Sequence, residues 1–297
     1  VGAGAVGARA IRQLVESQRA LGLDLTFLPD NTSVREVAPA LSAEMLAASF
    51  CPTDGHANPA AATRAFAAAA RRHGADIREG IGARTIRVEH GRVAGVETSS
   101  GLLPAACVVV AAGLFTPELV KPLGLAFPLA PQIVSVLQTV PLSPTLAQVF
   151  GVANADCAGR QEADGRLRMT TGIGGWPGDI AHWTEAALAP SGETVARMID
   201  LVGHVLPAAR SAGVHRAWGG LIDLTPDALP VIDAPPEIEG LVVAAGFSGH
   251  GFGIGPVTGQ LIADLALGKT PRLDLGAFRL ARFHDRAQTA AKLTLHG

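Results

Sequence analysis

The length of 297 residues is enough for one large domain or two ordinary ones, and 48% hydrophobic with 17% charged residues is typical of a soluble globular protein. The net charge of −2 lacks the basic surface that nucleic-acid binding requires. No apolar run reaches the roughly 18 residues of a membrane-spanning helix. Three widely separated cysteines fit a reducing cytoplasm, and no Cys or His pair has metal-ligand spacing, so we expect no metal site.

The first seven residues, VGAGAVG, have the glycine spacing of a dinucleotide-binding turn. In such a turn a buried strand leads into the glycines, and the following helix points its N-terminus at the pyrophosphate. Apolar residues at helical spacing from Ile11 to Leu21 predict that helix. No feeding strand precedes the turn, so the pattern is either a coincidence in a chain rich in Ala and Gly or a shortened version of a true loop. The glycines concerned are Gly2, Gly4 and Gly7.

The next segments alternate between strands and one clear helix. A short strand is expected at 24–28. The segment NPAAATRAFAAAARRHG predicts a helix from Pro59 to His73, because Asn58 can cap it and Gly74 can end it. We expect a further strand at 75–78.

A β-meander is predicted in TIRVEHGRVAGVETSSG, where two alternating segments flank the turn His90–Gly91. A continuous apolar strand at 106–111 follows and closes on Gly113. Because this strand is apolar on both faces, we expect it in the middle of a covered sheet.

The middle of the chain, from Phe127 to Asp223, has short strand-like pieces between Pro and Gly turns, interrupted by a helix at 192–205. This pattern predicts an antiparallel sheet. The alternation of strands and helices seen before Phe127 then returns, with a buried strand at 241–245, a glycine-rich turn and a helix at 256–267. Two α/β pieces that flank an antiparallel insert predict a discontinuous pair of domains.

The stretch AAGFSGHGFGIGPVTGQ is the most informative for function. Five glycines at 246, 249, 251, 253 and 255 lie between a buried strand and a helix, at a cost in backbone entropy. We interpret them as a backbone that closely approaches a flat or anionic ligand; the alternative is a merely tight turn, which needs fewer glycines. Ala-Ala-Gly ends both apolar strands, at 111–113 and at 244–246, and leaves space for a ligand there.

Four stretches together resemble a known family. They are CPTDGHANPAAATRAFAAAARRHGADI, VVVAAGLFTPEL, RAWGGLIDLTPDALPVID and GLVVAAGFSGHGFGIGPVTGQLIADL. In order and spacing they are similar to the FAD-dependent oxidoreductases of the D-amino-acid oxidase group. Within that family, glycine oxidase, the sarcosine oxidase β subunit and opine or D-amino-acid dehydrogenases are the most alike.

The resemblance implies an α/β, mixed α+β fold with a discontinuous FAD/NAD(P)-binding-type domain and an inserted antiparallel-sheet substrate domain. We predict an N-terminal segment at 1–55, FAD-binding parts at 56–126 and 230–297, and the substrate domain at 127–229. The resemblance also implies that the chain lacks the N-terminal nucleotide-binding half, which would make VGAGAVG a coincidence.

The resemblance implies that FAD is the cofactor and that its flavin ring lies against the glycine-rich turn, with backbone N–H groups facing the N1/C2=O edge. Ala111, Ala112 and Gly113 would line the adenosine-diphosphate side. The backbone of Ala83, placed in the strand before the meander, would face adenine. The cofactor-binding residues are therefore predicted to be Ala83, Ala111, Ala112, Gly113, Gly249, Gly251, Phe252, Gly253 and Ile254.

The candidate catalytic residue is His250, which could contact the substrate amine or tune the flavin; a structural histidine is the alternative. Some family members have a carboxylate-binding arginine where this chain has Ile222, so Arg216 and Arg160 become the candidates, against the alternative of surface charges. Asp227 is expected to cap a turn. Cys107 is expected in the core.

The implied activity is oxidation of the C–N bond of a D-amino acid, an N-methyl amino acid such as sarcosine, or an opine, by hydride transfer to flavin. The implied setting is amino-acid catabolism in the cytoplasm, with a small-molecule substrate and the option of a hetero-oligomer with other oxidase or dehydrogenase subunits. Two alternatives stay open. One is a nicotinamide-dependent dehydrogenase that uses VGAGAVG, and the other is a non-catalytic remnant that acts as a binding or assembly module.

Overall fold

A computed structural model describes residues 1, 4–153 and 157–284, and the chain forms two compact units. Among the described residues, unit 1 comprises Val1–His56 and Ile133–Leu221, and unit 2 comprises Ala57–Gln132 and residues 222–284. The predicted division into FAD-binding and substrate-binding domains concerns function and stays a prediction. Gly2 lies outside the described residues, as does the end of the predicted domain 230–297.

The described part of the chain contains helices and strands of ordinary length. The α-helices are α1 (Gly4–Ala20), α2 (Asn31–Val37), α3 (Pro59–Arg72), α4 (Thr116–Val120), α5 (Glu185–Leu188), α6 (Gly192–Val205) and α7 (Gly251–Ala266). The strands are β1 (Thr26–Leu28), β2 (Ala48–Phe50), β3 (Ala83–Glu89), β4 (Arg92–Thr98), β5 (Gly101–Pro104), β6 (Val108–Val110), β7 (Ala130–Pro141), β8 (Phe150–Val152), β9 (Cys157–Gln161), β10 (Arg166–Gly175), β11 (Val214–Leu224), β12 (Val231–Asp233) and β13 (Leu241–Ala245).

Unit 1 is built on a five-stranded sheet in the order β11-β7-β10-β9-β8, in which β8, β9 and β10 pair antiparallel. Leu167 and Met169 of β10 are fully buried and pack with Met198 and Val202 of α6. Because side chains alternate along a strand, Arg168 of β10 lies on the opposite face, away from α6. The predicted antiparallel sheet in the middle of the chain is confirmed.

Unit 2 contains a three-stranded sheet in the order β12-β13-β6 and the meander β3-β4-β5. The central strand β13 is fully buried and pairs parallel with β6 and antiparallel with β12. The meander turns at His90 and Gly91, both with positive φ, which suits a tight hairpin turn. The predicted meander and the buried strand at 241–245 are confirmed.

Two predicted helices are confirmed, and the predicted cap at Asn58 is observed. The side chain of Asn58 accepts a hydrogen bond from the Ala61 N–H at the start of α3, and Ser191 does the same for Thr194 at the start of α6. Gly74 follows α3 with a φ of +88°, the conformation that ends a helix.

Four predictions of extent or position are wrong. The segment 75–78 is not a strand, since its residues are exposed, Asp76 pairs with Arg78, and no described strand pairs with it. The strand predicted at 106–111 is only β6, and in the described sheet it lies at an edge with Val109 40% exposed. The strand predicted at 24–28 is β1 alone. Helix α7 begins at Gly251, five positions before the predicted start, because the glycine-rich segment itself adopts helical dihedrals.

None of the helices within the described residues combines the length and apolar character needed to cross a membrane.

We predict that Leu167→Ala strongly destabilises unit 1. The side chain is fully buried between β10 and α6, so its loss leaves a cavity that costs about 2–5 kcal/mol. Urea unfolding followed by circular dichroism measures the change. Leu102→Ala is the matched control because Leu102 is 49% exposed, and equal losses for the two variants would contradict this packing.

Candidate functional site

The ends of β6 and β13 lie side by side in unit 2. The two strands run parallel, with Val110 opposite Val243, so the Ala-Ala-Gly segments at 111–113 and 244–246 lie at the same carboxyl end of the sheet. Gly113 and Gly246 both have positive φ, 53° and 75°. The carboxyl edge of parallel strands is where such sheets bind ligands. The structure therefore brings the two predicted segments together.

The turn after β13 is fixed by hydrogen bonds to residues 223–225. The Gly246 N–H donates to Oδ2 of Asp223 over 2.7 Å, and the Ser248 N–H donates to the Asp223 carbonyl over 3.2 Å. Ser248 has a φ of +54°, which a residue with a side chain rarely adopts. The hydrogen bonds compensate for that strain.

The side chain of Ser248 completes this arrangement. It is 1% exposed, accepts from the Thr225 N–H over 3.2 Å and donates to the Gly246 carbonyl over 3.1 Å. Thr225 is equally buried, and its hydroxyl donates to the Leu229 carbonyl over 2.9 Å. Asp223, Thr225 and Ser248 were not predicted from the sequence. The signals that could have found them are a serine inside a glycine run and an Asp-x-Thr at the end of a strand.

Helix α7 presents an open N-terminus at the end of this turn. His250 occupies the N-cap position, and no side chain of the described residues caps the first turn. The first N–H groups of such a helix, with the positive end of its dipole, favour a negative charge. Phe252 is 54% exposed, and a Cβ added at Gly253 or Gly255 would meet no other atom within 4 Å.

The glycines of this segment have different roles. Gly249 has a φ of +85°, a conformation that glycine adopts more readily than any other residue. A Cβ at Gly251 would lie 2.8 Å from Cβ of Phe247, so this glycine permits packing within the turn itself. Gly253 and Gly255, by contrast, keep the outer surface of α7 flat. The tight-turn interpretation therefore explains Gly249 and Gly251 but not Gly253 and Gly255.

The other predicted cofactor positions are arranged as follows. Ala111 is exposed, Ala112 and Gly113 are half-buried, and all three follow β6 directly. Ile254 is 36% exposed and lies in the first turns of α7. Ala83 is the first residue of the meander, not part of a strand before it, and it lines a separate cavity of about 500 Å³ with Asp76 and Thr98.

The two predicted substrate-binding arginines lie on the sheet of unit 1. Arg160 is half-buried on β9, with Nη2 3.4 Å from Oε1 of Glu162. Arg216 is exposed on β11, and its guanidinium carbon lies 4.3 Å from the ring centroid of Trp218. Arg168, which the sequence analysis missed, lies between them: its Nε is 2.9 Å from Oε1 of Glu162, and its guanidinium carbon is 5.2 Å from the same Trp218 ring.

Two further predictions concern Asp227 and Cys107. Asp227 caps its turn, as predicted, by accepting from the Leu229 N–H over 3.2 Å, and it also forms a two-pronged ion pair with Arg282. Burial alone would raise the pKa of Asp227, but the hydrogen bonds from Arg282 and Leu229 outweigh it and lower the pKa. Cys107 is half-buried and not a core residue, since it lies between the short strands β5 and β6.

Two glycines of the VGAGAVG segment, Gly4 and Gly7, lie inside α1. The N-terminal amine of Val1 donates to the Gly151 carbonyl of β8 over 2.7 Å, within unit 1. A dinucleotide-binding turn also needs a strand before the glycines, which the described residues do not test. The nicotinamide alternative and the shortened-loop alternative therefore stay predictions.

The residues after β6 and β13 fit a flavin. A flavin is a flat aromatic ring with a polar edge that takes hydrogen bonds. The unit offers an uncapped helix N-terminus as donor, exposed apolar Phe252 and Ile254 beside it, and a surface at Gly253 and Gly255 that a Cβ would obstruct.

We predict that Gly246→Ala costs at least about 1 kcal/mol more stability than Gly268→Ala. Both glycines have positive φ, 75° and 67°, so both variants incur the same backbone strain. Only at Gly246 would the new Cβ also overlap Cγ2 of Thr225 and approach Leu129, whereas nothing lies within 4 Å at Gly268. Urea unfolding measures both, and equal losses would contradict the packing of this turn.

We also predict a pH-dependent contribution from Asp227. Because its folded pKa is lowered, the carboxylate stabilises the fold above its ordinary pKa of 3.8, and the contribution is lost as pH falls through that value toward the folded pKa. The difference in Tm between the wild type and Asp227→Asn should therefore be largest near neutral pH and shrink below about pH 4. A difference that stays constant down to acid pH would contradict the assignment.

Comparisons with known proteins support the same conclusion. D-amino acid dehydrogenase of Cereibacter sphaeroides is 32% identical over 243 residues, which cover 78% of this chain and 52% of that protein. Sarcosine oxidase subunit beta of Rhizobium meliloti is 30% identical over 78% of this chain and 55% of that protein. The crystal structure of glycine oxidase from Geobacillus kaustophilus superposes with a TM-score of 0.84 at 26% identity, over 95% of this chain and 73% of that one.

The chain spans about half the length of these curated relatives. The family model described as DAO, FAD dependent oxidoreductase, matches residues 1–265. This match covers most of the chain and includes β6, β13 and nearly all of α7. The chain therefore belongs to the DAO family of FAD-dependent oxidoreductases.

Proposed function

We propose that the protein is an FAD-dependent oxidoreductase that oxidises the C–N bond of an amino acid, and that unit 2 holds the flavin. The observation that carries this proposal is the pair of parallel strand ends at 111–113 and 244–246, next to the uncapped N-terminus of α7. The FAD dependence of the family and the names of the relatives support it. The substrates considered are a D-amino acid, a sarcosine-like N-methyl amino acid or an opine.

The turn after β13 positions the flavin in this proposal. Bound FAD would supply the chemistry of accepting a hydride from the substrate carbon next to nitrogen. The turn that leads into α7 is held by the hydrogen bonds of Asp223 and Ser248, and the N–H groups at the start of α7 would then stabilise negative charge at the edge of the ring. The remaining proposed cofactor contacts come from Gly249, Gly251, Phe252, Gly253 and Ile254.

His250 is the proposed catalytic residue. It is exposed at the N-cap position of α7, directly before the proposed flavin-binding backbone. An imidazole there can hold or release the proton of a substrate amine, and an amine must be neutral before it can lose a hydride. The candidates for binding a substrate carboxylate are two arginines of unit 1, Arg160 and Arg216.

Assembly is proposed from the relatives alone, and location from the three separated cysteines. The name of the Rhizobium meliloti relative as a subunit supports assembly with other oxidase or dehydrogenase subunits. The cytoplasm remains the predicted location. The alternative of a non-catalytic binding module predicts a colourless protein that takes up no added FAD.

We predict that Gly253→Val lowers FAD affinity at least tenfold while the fold is retained. A Cβ at this position meets no protein atom, so any loss of affinity arises from the bulk placed against the ring. Quenching of flavin fluorescence in an FAD titration measures the affinity, and circular dichroism checks the fold. Gly259→Val is the matched control, also unobstructed on α7 but about 9 Å further along the helix.

The proposal of flavin binding at α7 would be contradicted if the two valine variants bound FAD equally well. A panel of D-amino, N-methyl and opine-type substrates, with anaerobic bleaching of the flavin absorbance as the readout, then tests the activity itself. No bleaching by any member of the panel would contradict amine oxidation.

A further inference from the structure

One face of the unit 1 sheet carries an excess of positive charge. Arg160, Arg168 and Arg216 lie on the face away from α6, and Glu162 is a carboxylate that contacts Arg160 and Arg168. Two of these arginines share that carboxylate. The cluster of three guanidinium groups and one carboxylate has a net charge of +2.

The single negative charge of Glu162 is already shared between the guanidinium groups of Arg160 and Arg168. Oε1 contacts Nε of Arg168 and Nη2 of Arg160, and Oε2 accepts from Nε2 of Gln138 over 2.6 Å. Nε of Arg160 is buried and has no hydrogen-bond acceptor among the described residues. Burial, and then the charge of Arg168, lower the pKa of Arg160. An anion placed here would oppose both effects, because it stabilises the charged guanidinium.

A cavity of about 360 Å³ opens beside the two paired arginines. This volume suits a small organic acid. Its lining includes His56, Ala158, Arg160, Arg168 and Thr170. These residues combine cationic side chains with the small side chain of Ala158 and the hydroxyl of Thr170, which suits a carboxylate on a short carbon chain.

The third arginine marks a second cationic position on the same face. Trp218 contacts Arg168 at 5.2 Å and Arg216 at 4.3 Å, so its ring holds the exposed Arg216 guanidinium in place. Strand β7 separates β10 from β11, which places the two strands about 10 Å apart. Arg216 has no carboxylate partner among the described ion pairs, whereas Arg166 on the same strand as Arg168 pairs with Asp164.

We propose that unit 1 binds a dicarboxylate, with one carboxylate in the cavity at Arg160 and Arg168 and the other at Arg216. As an assignment of substrate class this rests on the proposed function, and it makes the substrate an amino acid with a second acid group, either on its side chain or as an N-carboxyalkyl substituent. A substrate with a single carboxylate would leave one of the two cationic positions unused.

Isothermal titration calorimetry on the full protein at low ionic strength tests the proposal with glutarate and propionate as probes. Glutarate should bind at least about tenfold more tightly than propionate, because charge-assisted hydrogen bonds to a second carboxylate contribute a factor of this size. Arg160→Gln and Arg216→Gln should each remove that advantage. Arg166→Gln should retain it, since the charge of Arg166 is already paired with Asp164.

Equal affinity for the two acids, or equal losses in all three glutamine variants, would overturn the proposal. If Arg160→Gln does not fold, Arg160→Lys replaces it and should bind glutarate more weakly than the wild type, since an ammonium lacks the two parallel donors. Flavin absorbance recorded on the same samples distinguishes failure of the dicarboxylate site from failure of the proposed oxidation. Bound flavin without a preference for glutarate overturns the dicarboxylate site alone, and a preference for glutarate without flavin overturns the proposed oxidation alone.

Discussion

The structure of the candidate cofactor site depends on the buried hydrogen bonds between residues 223–225 and the turn after β13. Within that turn Gly246, Ser248 and Gly249 have positive φ, a conformation that is free for glycine but strained for Ser248, which therefore needs compensation. Asp223 and Thr225 provide it with hydrogen bonds to Gly246 and Ser248. The direction in which α7 leaves the sheet, and hence the position of its free N–H groups, follows from this contact.

The two units have different chemical characters. Unit 2 presents open main chain at Gly253 and Gly255 beside the exposed side chains of Phe252 and Ile254, a surface to which a large flat cofactor can bind. Unit 1 presents long cationic side chains on a sheet, with Trp218 between Arg168 and Arg216, a surface that attracts small anions.

Local signals in the sequence were sufficient for elements that depend on neighbouring residues. The cap Asn58 and the turn at His90–Gly91 act over three or four positions, and the helix and the meander that they delimit are confirmed. The prediction of a strand at 75–78 was wrong because a strand also needs a partner to pair with, and an apolar pattern alone gives no information about partners. The predicted start of α7 was too late because its glycines were interpreted only as loop residues.

The candidate site could be predicted only where its residues are close together in the sequence. The glycine run and the two Ala-Ala-Gly segments are visible in the sequence, and the structure brings them to one edge of a sheet. Thr225 and Ser248 escaped notice because their contact joins residues 23 positions apart. Arg168 escaped notice because its significance comes from Glu162 and from Trp218 on another strand. Long-range contacts of this kind depend on strand order, which local sequence does not encode.

Hydrogen–deuterium exchange with and without FAD tests the central claim most directly, since it reports on main-chain N–H groups one segment at a time. If the backbone at the start of α7 binds the flavin, FAD should slow exchange in peptides that cover 246–255 and 111–113 and leave 4–20 unchanged. Slowed exchange at 4–20, with no change at 246–255, would contradict the account.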